Sequence, residues 1–138
     1  MADNAKDGKS LYLEFAGVVI DTDYREFDPG LTEVNTDKTA GADALTSTHK
    51  LRDTVIPTLS ILLKDSVASE AIATALAHGA TGNLIWGPDG NTAGEPKWGI
   101  EARVVSNVAQ SFNAETMMDV TFENNGTDWL FDGRTDTF

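Results

Sequence analysis

Apolar and polar residues alternate with a period of two over long stretches of this chain, and that pattern dictates extended structure. Trp98, Ile100, Ala102, Val104 and Val108 alternate with Glu101, Arg103, Val105 and Asn107. Met118, Val120 and Phe122 alternate with Asp119, Thr121 and Glu123. Successive side chains of a strand point to opposite faces, so each stretch predicts a strand with one buried and one polar face. A third stretch runs from Thr48 to Lys64. Leu51, Val55, Leu59, Ile61 and Leu63 share one parity, and Lys50, Arg52, Thr54, Thr58, Ser60 and Lys64 share the other. It reads as one long half-buried strand or a hairpin pair. Pro57 has no backbone N–H to donate, which predicts a bulge, a break or an edge position there.

Shorter elements fill the remainder. Leu11, Leu13 and Phe15 alternate with Tyr12 and Glu14, and Val18 to Ile20 follow Ala16-Gly17. This predicts strand, with a turn at Ala16-Gly17 if there are two. Asp21-Thr22-Asp23 reads as a turn cluster and Tyr24–Phe27 as a short strand. Asn83–Trp86 reads as strand, Gly87–Asn91 and Asn125-Gly126 as turns, and Trp129–Phe131 as a last short strand. One helix is expected over about residues 66–78, with Asp65 or Ser66 capping its start and Gly79 at its exit. Ser66, Glu70, Thr74 and His78 form its polar stripe, opposite Ala68, Ile72, Ala75 and Leu76. Residues 28–46 are rich in Asp, Thr, Gly and Ala and read as one long loop, a length that is usually functional or disordered. Residues 1–9 read as an arm and 132–138 as a tail. The order is β, long loop, β, one helix, β-hairpins. The fold class is therefore mainly β, an antiparallel sandwich or barrel with one flanking helix in a single domain.

Charge narrows the function. Ten Lys and Arg stand against 22 Asp and Glu, for a net charge of −12. A chain this acidic is a poor binder of nucleic acid through phosphates, which needs a basic patch. The acids are concentrated at the ends: residues 1–44 carry ten acids and four bases, and residues 111–138 carry six acids and one base. The middle reads as core and the ends as acidic flanks. No cysteine is present, which removes disulfides, thiolate nucleophiles and cysteine metal sites. No apolar run approaches the ~20 residues of a membrane span, and the polar start lacks an export-signal core.

A search for catalytic chemistry gives little. There is no G-x-G-x-x-G, phosphate loop, G-x-S-x-G or H-E-x-x-H. Gly87, Gly90 and Gly94 precede a strand and punctuate a hairpin. His49 and His78 are the two histidines, and structural or surface roles fit both. Asp21-Thr22-Asp23 has D-x-D spacing, but Arg25, Glu26 and Thr32 occupy positions that an EF-hand gives to other residues. Neither a metal nor a cofactor is expected, and no enzymatic activity. Trp86 and Trp98, near one turn, are candidate sugar platforms or core anchors.

The layout resembles the tail tube (major tail) proteins of long-tailed bacteriophages, whose fold is shared with type VI secretion tube proteins. The segments that carry the resemblance are Leu11–Ile20, Thr39–Thr48, Leu51–Leu63, the helix Ser66–His78, and the pair Ile100–Gln110 and Glu115–Glu123. They span nearly the whole chain. The resemblance implies a structural virion protein that forms six-membered rings stacked into a hollow tube, through which double-stranded DNA passes without specific binding. It implies assembly in the host cytoplasm, and tape measure, tail terminator and baseplate or tip proteins as partners, with no membrane. The loop, with Leu31, Val34, Thr36, Lys38, Thr39 and Asp43, would reach a neighbouring ring or subunit.

Joining sheet edges between subunits removes the exposed-edge problem of an open β-domain, and an acidic channel repels a polyanion instead of retaining it. Asp119 and Glu123, then Glu101, are the expected lumen-facing acids. Two other readings stay open: a monomeric carbohydrate-binding β-sandwich using Trp86 and Trp98, and another tube or terminator component of a phage tail or secretion system.

Overall fold

The computed structural model describes residues 11–20, 24–37, 40–41, 44–45, 48–63, 67–112 and 115–138. The strands are β1 (Tyr12–Phe15), β2 (Val18–Val19), β3 (Tyr24–Asp28), β4 (Leu31–Asp37), β5 (Thr48–Val55), β6 (Thr58–Leu63), β7 (Thr81–Gly87), β8 (Trp98–Phe112) and β9 (Glu115–Asn124), with the helix α1 (Val67–Ala75) between β6 and β7. Seven strands form one antiparallel sheet in the order β2-β1-β7-β8-β9-β6-β3, and β4-β5 form a separate two-stranded sheet. The large sheet is open, with β2 and β3 as its edges, so no closed barrel forms among the described residues.

The period-two stretches build the core as expected. Met118, Val120 and Phe122 of β9 and Ile100, Ala102 and Val104 of β8 are buried, together with Leu13, Phe15, Leu84, Trp86, Leu59 and Ile61. Ile72 and Leu76 of the helix segment and Val55 at the end of β5 close this face. Burial of this apolar surface is the main stabilising contribution. Phe15 and Phe122 meet at 5.2 Å between ring centroids. The described helix starts at Val67, and Ser66 and Asp65 lie outside the described residues. The helix ends at Ala75, three residues before the expected His78, so Gly79 is not its exit residue: at φ 84° it lies in the following turn and donates its N–H to Val104 O. Asn107 Nδ2 donates to Leu76 O at 2.6 Å, satisfying a carbonyl that the helix end leaves free. Asn107 can do this because β8 shifts register between Val104 and Ser106, which brings Asn107 opposite Val120.

Pro57 breaks the 48–64 stretch into β5 and β6, which belong to different sheets. The expected long loop over 28–46 is corrected in its first part: β4 pairs with β5 from Leu31↔Val55 to Asp37↔Thr48. Its physical reason lies in the burial. Leu31, Thr32, Glu33 and Asn35 are all exposed, and Val34 is half-buried. A ribbon held by its ladder and wetted on both sides has no apolar parity to reveal it. Leu51, assigned to the buried parity, is 55% exposed for the same reason. Together β3–β4 and β5–β6 make one long hairpin, kinked where it leaves the large sheet. At the kink Gly30 has φ 61°, and a Cβ there would lie 2.2 Å from Ile56 O. Glycine alone fits that approach and that conformation.

The carboxyl-terminal residues are integrated into the fold. Residues 129–138 run beside the start of β8, in the lane β9 vacates after Asn124, with bridges Gly99↔Phe131 and Pro96↔Thr137. Lys97 N donates to Asp136 O at 3.0 Å, and Gly94 N donates to Phe138 O at 2.9 Å. Lys97 Nζ lies 3.9 Å from the Phe131 ring centroid, within cation–π range.

Candidate assembly surfaces

Two surfaces stand out, and both follow from the strand pattern. One is the face of the large sheet opposite the core. Asp119, Thr121 and Glu123 of β9 project there because Met118, Val120 and Phe122 project inward. Glu101 and Arg103 of β8 share that face, as Arg103 pairs with Glu123. Glu14 of β1 joins them, accepting a hydrogen bond from Tyr12 Oη at 2.5 Å. Asp119 accepts one from Ser60 Oγ at 2.7 Å. Arg103 and Glu123 stand 3.6 Å apart, each about half exposed. Such an exposed pair contributes little to stability. The three acids singled out from sequence thus share one open face, with Arg103 set among them. Phe131 and Phe138 cover one end of it, packed where Gly99 and Gly87 have no side chain.

The second surface is the β4–β5 arm. Leu31 and Val34 lie in β4 opposite Val55 and Arg52, and Thr36 pairs with His49 in the register. Lys38, Thr39 and Asp43 lie outside the described residues. Leu45, near the turn end of the arm, is 81% exposed. Where β5 diverges from β9, an open cleft of about 700 Å³ separates the arm from the 124–129 loop. Lys50, Leu51 and Arg52 line one wall, Asn124, Thr127 and Asp128 the other, and Ile100 and Trp129 also line it.

Asp53 sits in this cleft at the base of the arm. Its Oδ2 accepts from Trp129 Nε1 at 2.9 Å and from Arg134 at 2.7 Å. Its Oδ1 has no partner in hydrogen-bond geometry and is neutralised by the Lys50 ammonium 2.9 Å away, a contact of charge more than direction. Arg134 also grips Asp132, with Nε 2.9 Å from Oδ1 and a terminal nitrogen 2.9 Å from Oδ2. The Arg134 guanidinium, then Lys50 and Trp129, hold the Asp53 carboxyl far below the usual carboxylate range, against the opposing effect of burial. Arg134 likewise lowers Asp132, and the two carboxylates push the guanidinium still further from neutrality. Nothing in the sequence joins Asp53 to Arg134, which are 81 positions apart. The available signal was that Arg134 is the single base after position 110.

The tryptophans are core anchors. Trp86 is buried and stacks on Trp98 with 3° between planes, and Trp129 tilts against both. A buried ring cannot serve as a sugar platform, which removes the motif behind the carbohydrate-binding alternative. Asp21 and Asp23 lie outside the described residues.

No protein-family model matches the sequence, and no curated protein matches it. The fold is far more informative. A chain from the tail of an empty gene transfer agent particle, of C6 symmetry, superposes with a TM-score of 0.68 at 14% identity, over 93% of this chain and 99% of that one. A chain of the native gene transfer agent virion gives 0.68 at 15% identity, over 93% and 99%. A chain of the sheath–tube complex of an extracellular contractile injection system, in its extended state, gives 0.59 at 10% identity, over 94% of each. The chain therefore has the fold found in components of these tails and injection systems.

Proposed function

We propose that this chain is a structural tail tube subunit that closes into six-membered rings and stacks into a hollow tube conducting double-stranded DNA. The single observation behind this reading is the whole-length match to a chain of a six-fold symmetric tail, with almost nothing left over on either side. The molecule suits the role physically. Its large sheet is open, and the outer sides of β2 and β3 have no strand partner among the described residues. A heterologous contact between the two edges of successive copies closes into a ring and leaves no free edge.

Continuing the sheet around a ring puts one face of every copy inward. The core side is occupied by α1 and the base of the arm, so the face bearing Glu14, Glu101, Asp119 and Glu123 is the one free to line a channel. Duplex DNA carries about one negative charge per 1.7 Å. A basic wall would bind it, and an acidic wall lets it pass. The arm, with Leu31, Val34 and Thr36, forms a sheet of its own and would contact the next ring or subunit, as would Lys38, Thr39 and Asp43 in this reading. In this reading the protein is assembled in the host cytoplasm, ends in the virion, and meets tape measure, terminator and tip proteins.

The likeness to a sheath–tube complex of an injection system supports a second reading with the same architecture and a different cargo. Loading assembled tubes with DNA or with protein and testing what the lumen retains separates the two. Under the DNA reading, Asp119→Lys with Glu123→Lys retains duplex in the lumen while tubes still form. Free passage through the doubly substituted tube would exclude a lumen role for this face.

A further inference from the structure

We infer that Asp53 is the positioning residue of the arm: its carboxylate, held by Trp129 and Arg134, ties the β4–β5 hairpin to the carboxyl-terminal segment and fixes the angle at which the arm leaves the sheet. Calling the hairpin an assembly arm rests on the proposed tube function. The tie itself rests on geometry alone.

The hairpin needs such a tie. Among the described residues its two strands pair with each other and with no strand of the large sheet. An isolated two-stranded ribbon is marginally stable in water. It joins the body through two kinks, one at Gly30 with φ 61° and one at Ile56-Pro57, bridged by Ile56 N donating to Gly30 O at 3.3 Å. Kinks of this kind let a ribbon pivot, and the adjoining cleft of about 700 Å³ leaves room for it to do so. Asp53 lies two residues from Val55, which is buried, and faces the cleft from the arm's side. Trp129 and Arg134 face it from the body's side.

The body's half of the tie is itself rigid. Trp129 packs at 5.2 Å on Trp98 and 6.3 Å on Trp86. Arg134 is held by both oxygens of Asp132, and its guanidinium carbon lies 5.8 Å and 5.9 Å from the Trp98 and Trp129 rings. Asp132 in turn accepts the Arg134 backbone N–H at 3.1 Å, and its own N–H donates to Asp136 Oδ2 at 2.7 Å. The carboxyl-terminal segment is thus a preformed bracket whose outward donors converge on one carboxylate. The acidic terminal segment keeps its lone arginine for this contact.

The test uses the absence of native cysteine. Asn35→Cys on the arm and Asn83→Cys on β7, both exposed sites, are spin-labelled in the full chain, and their separation is read by pulsed electron resonance on dispersed subunits. The parent should give one narrow distance. Asp53→Asn and, separately, Arg134→Met should each lose it and give a broad distribution, while the near-ultraviolet signal of the tryptophan stack persists. Arg134 is at the surface, so this second variant tests the tie even if Asp53→Asn fails to fold. A narrow, unshifted distance in a folded variant of either kind overturns the inference. Because the distance is read before assembly, a parent that never forms tubes counts against the tube reading and leaves the tie standing.

Discussion

Replacing Gly30 by alanine should cost far more than the same replacement at Gly17, although both glycines sit at positive φ. Gly17 has φ 83° and nothing within 4 Å of the site of a new Cβ. Its alanine variant faces only the left-handed penalty for an L-residue, about 1–2 kcal/mol. Gly30 has φ 61°, and a new Cβ would lie 2.2 Å from Ile56 O and 2.9 Å from the carbonyl carbon. Those atoms are backbone and cannot rotate away, so the kink must open and the Ile56 N–H bond to Gly30 O must stretch. Overpacking of that kind adds roughly 1–3 kcal/mol. The expected loss is therefore about 2–5 kcal/mol at Gly30 against about 1–2 at Gly17. Urea unfolding followed by tryptophan fluorescence measures both, since Trp86, Trp98 and Trp129 form one cluster in the body. Each kcal/mol should also lower the melting temperature by roughly 3–4 °C for a chain of this size. Equal losses at the two glycines, within about 0.5 kcal/mol, would refute the argument that close approach at Ile56 sets the kink.

Further outcomes follow from the same geometry. Asp53 and Asp132 have depressed carboxyl pKa values in the folded protein, so their contribution is complete above the ordinary carboxylate value, about pH 4, and is lost as pH falls through the folded values. Stability against urea should fall more steeply on acidification in the parent than in Asp53→Asn, and parallel profiles would contradict the tie. Replacing residues 38–47 by a two-residue Asn-Gly turn should leave the secondary structure intact by circular dichroism and block tube growth in electron micrographs. Normal tubes would remove the arm from assembly. Asp119→Lys with Glu123→Lys should lower DNA delivery per particle while leaving particle counts unchanged, and unchanged infectivity would sink the lumen assignment.

The sequence made legible whatever was written as burial. Met118-Val120-Phe122 and Ile100-Ala102-Val104 announced two central strands because half of each is inside. Pro57 marked the break between β5 and β6, whereas Gly79 pointed to a helix end at His78, three residues past the Ala75 where it falls. The arm was legible only in part. β4 is exposed along most of its length and so shows no parity, and Leu51 sits where a buried residue was expected because β5 has already left the sheet. The open acidic face was readable by subtraction, as the other parity of β8 and β9. Asp53 was not: its partners are brought to it by the return of the carboxyl-terminal segment alongside β8, a tertiary event with no local signature. That segment read as a loose tail because it is short and polar, yet backbone bonds to residues 94–99 hold it in place.

The most direct test of the central claim is electron cryo-microscopy of the purified full-length protein across a concentration series, with mass followed by light scattering. A tail tube subunit should grow with concentration into hollow tubes of stacked six-membered rings, with the Glu101, Asp119 and Glu123 face lining the lumen. A protein that remains monomeric at every concentration, or tubes whose lumen is lined by the α1 side of the sheet, would contradict it.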